Sequence, residues 1–171
     1  MIVNDNQSEC FISPSRGRRD FLDVISDVVE FINEDNVSKY RVVVGTDSDE
    51  MVQAGAKPGI ASFVSVVTVH RIGKHGRFFW KKTSGLKTFD RHDRMLKEAY
   101  FSLELAQKVV AELRNKLSDR LYDFEIHLDI GHNGPTKSLI QEIVGIITGN
   151  GFIAKIKQDS YAASKVADRY V

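Results

Sequence analysis

The chain has 171 residues, of which 42% are hydrophobic and 27% charged, with a formal net charge of +1 and a single cysteine. This composition predicts one soluble globular domain with a substantial core, and the lone cysteine excludes an internal disulfide and fits a reducing compartment. No apolar stretch approaches the roughly 20 residues of a membrane span, and residues 1–15 lack the apolar core of a signal peptide, so we expect a cytoplasmic protein without a membrane partner.

The first half of the chain reads as an arm, a helix and a series of strands. Residues 1–16 are predicted to be an irregular arm, and residues 17–171 one domain. Within that domain, residues 17–34 carry apolar side chains at helical spacing and predict an extra N-terminal helix. Three β-rich runs follow, with a glycine-bounded turn between the last two, which predicts successive antiparallel strands. These runs are 41–46, 60–72 and 77–83.

The second half alternates helices and strands. Apolar residues at alternating spacings of three and four predict a long helix between Leu96 and Leu117. The later elements are a strand at 124–130, a helix from Pro135 to Gly149, a strand at 152–156 and a last helix from Tyr161. The order predicts an α/β fold with a mixed five-stranded sheet, in which three antiparallel strands are followed by parallel additions, and with helices on both faces.

Four acidic residues occupy matching places in this order of elements: Asp47, Glu98, Asp129 and Asp168. Asp47 and Asp129 each close an apolar strand, and the other two lie in helices. Two carboxylates about 4 Å apart repel by roughly 4 kcal/mol near a protein surface, so a cluster of four predicts a divalent cation. Mg²⁺ and Mn²⁺ prefer such oxygen ligands. Each acid alone also fits an ordinary turn or solvated helix position, so the prediction depends on the ordered set.

Two further features suit a polyanionic partner such as RNA or DNA. Between His70 and Lys97 the chain carries nine Lys or Arg against two Asp, and cations of this density attract phosphates. An ordinary solvated hairpin and helix start fits that stretch equally well. Lys137 follows Pro135 at a predicted helix N-terminus, where free backbone N–H groups can seat a phosphate. Ordinary helix capping accounts for this segment as readily.

Three segments carry a family resemblance. Residues 44–48 (VGTDS), 127–134 (HLDIGHNG) and 161–169 (YAASKVADR) resemble the bacterial YkuK-like family, which is assigned to the ribonuclease H-like group. The similarity covers roughly residues 18–171. The resemblance implies a ribonuclease H-like fold and, in catalytic members, hydrolysis of phosphodiester bonds with Mg²⁺ or Mn²⁺ by a two-metal mechanism.

The resemblance also implies residue roles. One metal ion activates the attacking water and the other stabilises the leaving oxygen in catalytic members of the fold. Carried over to this sequence, Asp47 contacts both ions, Glu98 and Asp129 bind one, and Asp168 binds the other. The basic residues that the resemblance suggests as phosphate ligands are Lys157, Lys165 and Arg169.

The alternative is a non-catalytic ribonuclease H-like module that binds nucleic acid or protein through the basic stretch and its aromatic hairpin. A third hypothesis is a function on nucleotide phosphates, as in the actin-like ATPases that share this core topology. This hypothesis has less support from the sequence. Those enzymes close a cleft between two such domains, and this chain has length for one.

Overall fold

The computed structural model describes residues 10–51, 59–117, 122–130 and 137–156, and residue 170. The side chains at positions 50, 51 and 137 are outside this description. The elements in chain order are β1 Phe11–Ser13, β2 Gly17–Arg19, α1 Phe21–Asn33, β3 Tyr40–Met51, β4 Gly59–Arg71, β5 Gly76–Thr88, α2 Arg91–Lys116, β6 Asp123–His127, α3 Lys137–Gly149 and β7 Ile153–Lys155. Among the described helices, none is long and apolar enough to cross a membrane.

The strands form one mixed sheet in the order β2-β1-β5-β4-β3-β6-β7. The three long strands β3, β4 and β5 pair antiparallel, and β6 and β7 are added in parallel. The α/β class and the antiparallel-then-parallel arrangement are therefore as predicted. The predicted count of five strands was wrong, because β1 and β2 extend the sheet to seven strands within the described residues.

The two unpredicted strands come from the region that was expected to be an irregular arm and a helix start. Three-residue strands are too short to display alternation, so their formation depends on distant partners. Ile12 pairs with Trp80 of β5, and Phe11 is fully buried. Asp20 caps α1 by accepting a hydrogen bond from the backbone of Asp23, which starts the helix four residues later than the predicted residue 17.

The two faces of the sheet are covered differently. All three described helices join one core cluster with Val42, Val44, Val67 and Ile126, and we call this the helix face. On the opposite face Val64 and Val66 pack with Phe78, Trp80 and Tyr170. We call it the open face. The predicted helix from Tyr161 lies outside the described residues, so the expectation of helices on both faces stays a prediction.

Candidate functional site

The parallel pairing of β3 with β6 leads Asp47 and Asp129 to one end of the sheet. The last paired residues are Gly45 and His127, and each aspartate lies two residues further along its chain. Side chains alternate along a strand, so a step of two residues keeps the same face, and neighbouring strands are about 4.8 Å apart. Asp47 pairs with Val64, which identifies this as the open face. The Oδ1 atom of Asp129 is shielded from solvent.

Glu98 approaches the same end of β3 from the helix face. The hydroxyl of Ser48, the residue after Asp47, donates a hydrogen bond to the Glu98 carboxylate. Ser48 pairs with Phe63, whose ring packs against Phe101 of α2 at a centroid distance of 5.1 Å. This contact holds α2 over the end of the strand. Only 8% of the surface of Glu98 is exposed.

Asp47 and Asp129 act electrostatically on Glu98. Burial, with a smaller contribution from the charges of Asp47 and Asp129, raises the pKa of Glu98 to about 7 despite the opposing Ser48 hydrogen bond and the charge of Arg94. The Oδ1 atom of Asp47 accepts a hydrogen bond from the backbone N–H of Ser48 at 2.9 Å. Burial and neighbouring negative charge are conditions in which a bound cation stabilises the ionised acid.

The structure therefore brings three of the four predicted acids to one end of the sheet. Asp168, Lys157, Lys165 and Arg169 lie outside the described residues, and Lys137 begins α3 with its side chain outside the description. Within the described ranges, no three His, Cys, Asp or Glu side chains are arranged to hold a metal ion. The donor types are nevertheless the hard oxygens that Mg²⁺ and Mn²⁺ prefer.

A buried polar group borders Asp129 on the open face. His127 Nε2 lies 2.9 Å from Glu125 Oε2, and Arg41 Nε lies 3.3 Å from Glu125 Oε1. Burial lowers the pKa of His127 and thereby favours the neutral ring, although the neighbouring Glu125 has the opposite effect. The contact between Arg41 and Glu125 joins β3 to β6, the strand that leads to Asp129. Polar residues at every second position from Asp123 to Asp129 were the sequence signal for this face.

Eight of the nine cations between His70 and Lys97 separate into two groups according to their ion pairs with described residues. Arg71 and Arg77 pair with Glu34 of the region that follows α1, and Lys74 pairs with Asp35. These three cations lie at the hairpin end away from Asp47 and serve the packing of α1. Lys97 pairs with Asp93 one turn earlier in α2. Four cations form no ion pair within the described residues: Lys82, Lys87, Arg91 and Arg94.

The similarity to known proteins extends over nearly the whole chain. A family model described as Ribonuclease H-like matches residues 23–171. The "Uncharacterized protein YkuK" of Bacillus subtilis (strain 168) is 33% identical over 174 residues, which cover 94% of this chain and 95% of that protein. No solved structure matches the chain significantly. The matched region includes the ends of β3 and β6 and the whole of α2, so it contains the candidate site.

Proposed function

Because the chain belongs to the YkuK-like family of ribonuclease H-like proteins, we propose that it is a divalent-metal-dependent nuclease that hydrolyses phosphodiester bonds of RNA or DNA. The observation that carries the proposal is the buried carboxylate of Glu98 at the end of the sheet that holds Asp47 and Asp129, with a pKa raised first by burial and then by the charges of these two acids. Perturbed acids that interact with one another are more frequent at functional sites than elsewhere.

The metal ligands in this proposal are Asp47, Glu98, Asp129 and Asp168. Mg²⁺ or Mn²⁺, when bound, would supply an activated water and would neutralise the charge on the leaving oxygen. With a pKa of about 7, Glu98 exchanges its proton near neutral pH, and a nearby cation favours its ionised form.

The chain's own groups orient the carboxylates. Ser48 contacts two of them, because its backbone N–H donates to Asp47 and its hydroxyl donates to Glu98. Each hydrogen bond fixes one oxygen and leaves the other oxygen of that carboxylate for a different contact. The low exposure of Glu98 strengthens its interactions with charged groups at the site.

The decisive experiment is a cleavage assay on single-stranded RNA, single-stranded DNA and an RNA–DNA hybrid, with Mg²⁺, with Mn²⁺ and with a chelator. Asp47→Asn and Asp129→Asn are expected to abolish metal-dependent cleavage without loss of fold. Asp123→Asn is the matched control, because it is the same change at the other end of β6, at an exposed side chain. Unchanged cleavage in the Asp47 and Asp129 variants, or no cleavage of any substrate with either metal, contradicts the proposal.

A second candidate function is a non-catalytic module that binds nucleic acid. It is favoured by four cations that form no ion pair within the described residues. Such a module would bind oligonucleotides with a strong dependence on salt concentration and would not cleave them under any metal condition. The cleavage assay therefore separates the two functions directly.

A further inference from the structure

Lys82 of β5 lies in the same cross-strand row as Asp47. Lys82 pairs with Val64, and Val64 pairs with Asp47. Residues that are directly opposite in antiparallel strands point to the same face. The Lys82 ammonium and the Asp47 carboxylate therefore leave the sheet on the open face, two strand spacings or about 10 Å apart at the backbone. Lys82 is exposed, so its long side chain can reach a ligand at this face.

Arg94 belongs to α2, which packs on the helix face, whereas Lys82 lies on the open face. Arg94 is one helical turn before Glu98 in α2, and residues four apart on a helix are neighbours on one side. Its Nε atom is shielded from solvent and has no hydrogen-bond partner within the described residues. A shielded donor of this kind is costly unless a ligand accepts from it. The planar guanidinium matches the oxygens of a phosphate.

The remaining cations near the site differ from these two. Lys97, less than one turn after Arg94, is held by Asp93, and Lys74 is held by Asp35 at the far end of the hairpin. Lys87 and Arg91 are exposed; Lys87 pairs with Ile60, four residues before Val64 in β4, and Arg91 is the first residue of α2. Lys82 and Arg94 thus form no ion pair with a described residue. Strand register places Lys82 in line with Asp47, and helical spacing places Arg94 beside Glu98.

We infer that Lys82 and Arg94 hold two phosphates of one nucleic-acid strand, from opposite faces of the sheet. This inference rests on the proposed function and specifies its substrate as a strand with consecutive phosphates rather than a single phosphate ester. A mononucleotide carries too short a run of phosphates to contact both cations, whereas an oligonucleotide that crosses the end of β3 can contact both.

The test measures binding of a fluorescein-labelled single-stranded oligonucleotide, as RNA and as DNA, by anisotropy at several salt concentrations in the presence of a chelator. Lys82→Ala and Arg94→Ala are each expected to weaken binding several-fold. Each is also expected to reduce the slope of log affinity against log salt by about 0.7, the value for one lost phosphate contact on a single strand. Lys82→Arg, which keeps the charge, should restore most of the affinity.

Lys97→Ala and Lys74→Ala are the matched controls, since each removes a lysine that already has an acidic partner. Thermal melting of every variant verifies the fold. Affinity and salt slope that stay unchanged in both Lys82→Ala and Arg94→Ala overturn the inference, as does an equal loss in the controls. Binding that depends on Lys82 and Arg94 in a protein that cleaves nothing supports this inference and removes the nuclease proposal. Nucleic-acid cleavage that is unchanged by both substitutions supports the nuclease proposal and overturns this inference.

Discussion

The indole of Trp80 stacks on the ring of Tyr170, with centroids 4.5 Å apart and an interplanar angle of 15°. The pair lies on the open face, where Phe78 also contacts Tyr170. Together with Phe78, the stacked pair packs against Val64 and Val66 of β4.

Removal of the Tyr170 ring is expected to destabilise the protein. Aromatic pairs contribute about 0.5–1.5 kcal/mol beyond their buried area, and 1 kcal/mol corresponds to about 2–4 °C in Tm for a domain of this size. Tyr170→Ala should therefore lower Tm by several degrees and shift the emission of the single tryptophan to longer wavelength. Tyr100→Ala is the control, since Tyr100 is 54% exposed on α2. Equal Tm values for the two variants would contradict a stabilising stack.

The stability of the protein is expected to fall with rising pH because of Glu98. The pKa of Glu98 is about 7 in the folded protein, compared with the ordinary value of 4.5 that applies to the unfolded chain. The folded protein therefore binds this proton more tightly than the unfolded chain does. The favourable contribution is complete below pH 4.5 and is lost as pH rises through about 7. The difference of about 2.5 pH units corresponds to about 3 kcal/mol. Urea unfolding of the wild type and of Glu98→Gln across this range measures the effect, which the glutamine variant should largely lack.

Divalent ions are expected to stabilise the folded protein. At about 100 times its dissociation constant a ligand adds roughly 2.7 kcal/mol, which is several degrees in Tm. Asp47→Asn and Asp129→Asn should lose this response to Mg²⁺ and Mn²⁺, whereas Asp123→Asn should retain it. The response should also weaken below about pH 7, because protonated Glu98 competes with the metal. A melting temperature unaffected by either ion would count against metal binding.

Ser48→Ala is expected to weaken metal binding without removing a carboxylate. The Ser48 hydrogen bond lowers the pKa of Glu98, so its loss should raise that pKa further. The pH midpoint of the metal-induced rise in Tm should then move upward. Ser48→Thr keeps a hydroxyl and should remain near the wild type, whereas Ser62→Ala removes a strand serine bonded to Ser84 and serves as control. A midpoint that does not move in Ser48→Ala would show that the hydrogen bond has no role in metal binding.

The elements that were predicted well are those with long patterns. The helix α2 shows its apolar spacing over six turns, and β4 was predicted to within one residue at each end, so local sequence determines them. β3 and β5 each run five residues beyond their predicted ends at residues 46 and 83, because both continue to pair with β4 there. By contrast, β1 exists because Ile12 finds Trp80, a partner that is distant in sequence. The start of α1 at Phe21 depends on the cap at Asp20, which the apolar pattern does not reveal.

The same distinction applies to the candidate site. The order of Asp47, Glu98 and Asp129 along the chain led to the prediction of one shared site, and this stays a prediction; the structure adds that Asp47 and Asp129 contribute to the raised pKa of Glu98. The sequence did not identify Ser48, since its contact with Glu98 joins residues fifty positions apart. Nor did it separate Arg77, which is paired with Glu34, from Lys82 five residues later. Such assignments need the three-dimensional pairing of side chains.

Asp47 and Ser48 are consecutive residues of one strand, so their side chains emerge on opposite faces of the sheet. Asp47 therefore lies on the open face, as Asp129 does, whereas the hydroxyl of Ser48 meets Glu98 on the helix face. Insertion or deletion of one residue between Val44 and Asp47 would exchange the two directions, which would break the hydrogen bond from Ser48 to Glu98 and move Asp47 to the other face. The length of this short segment, and not only its amino acids, should therefore be constant among proteins that use the site.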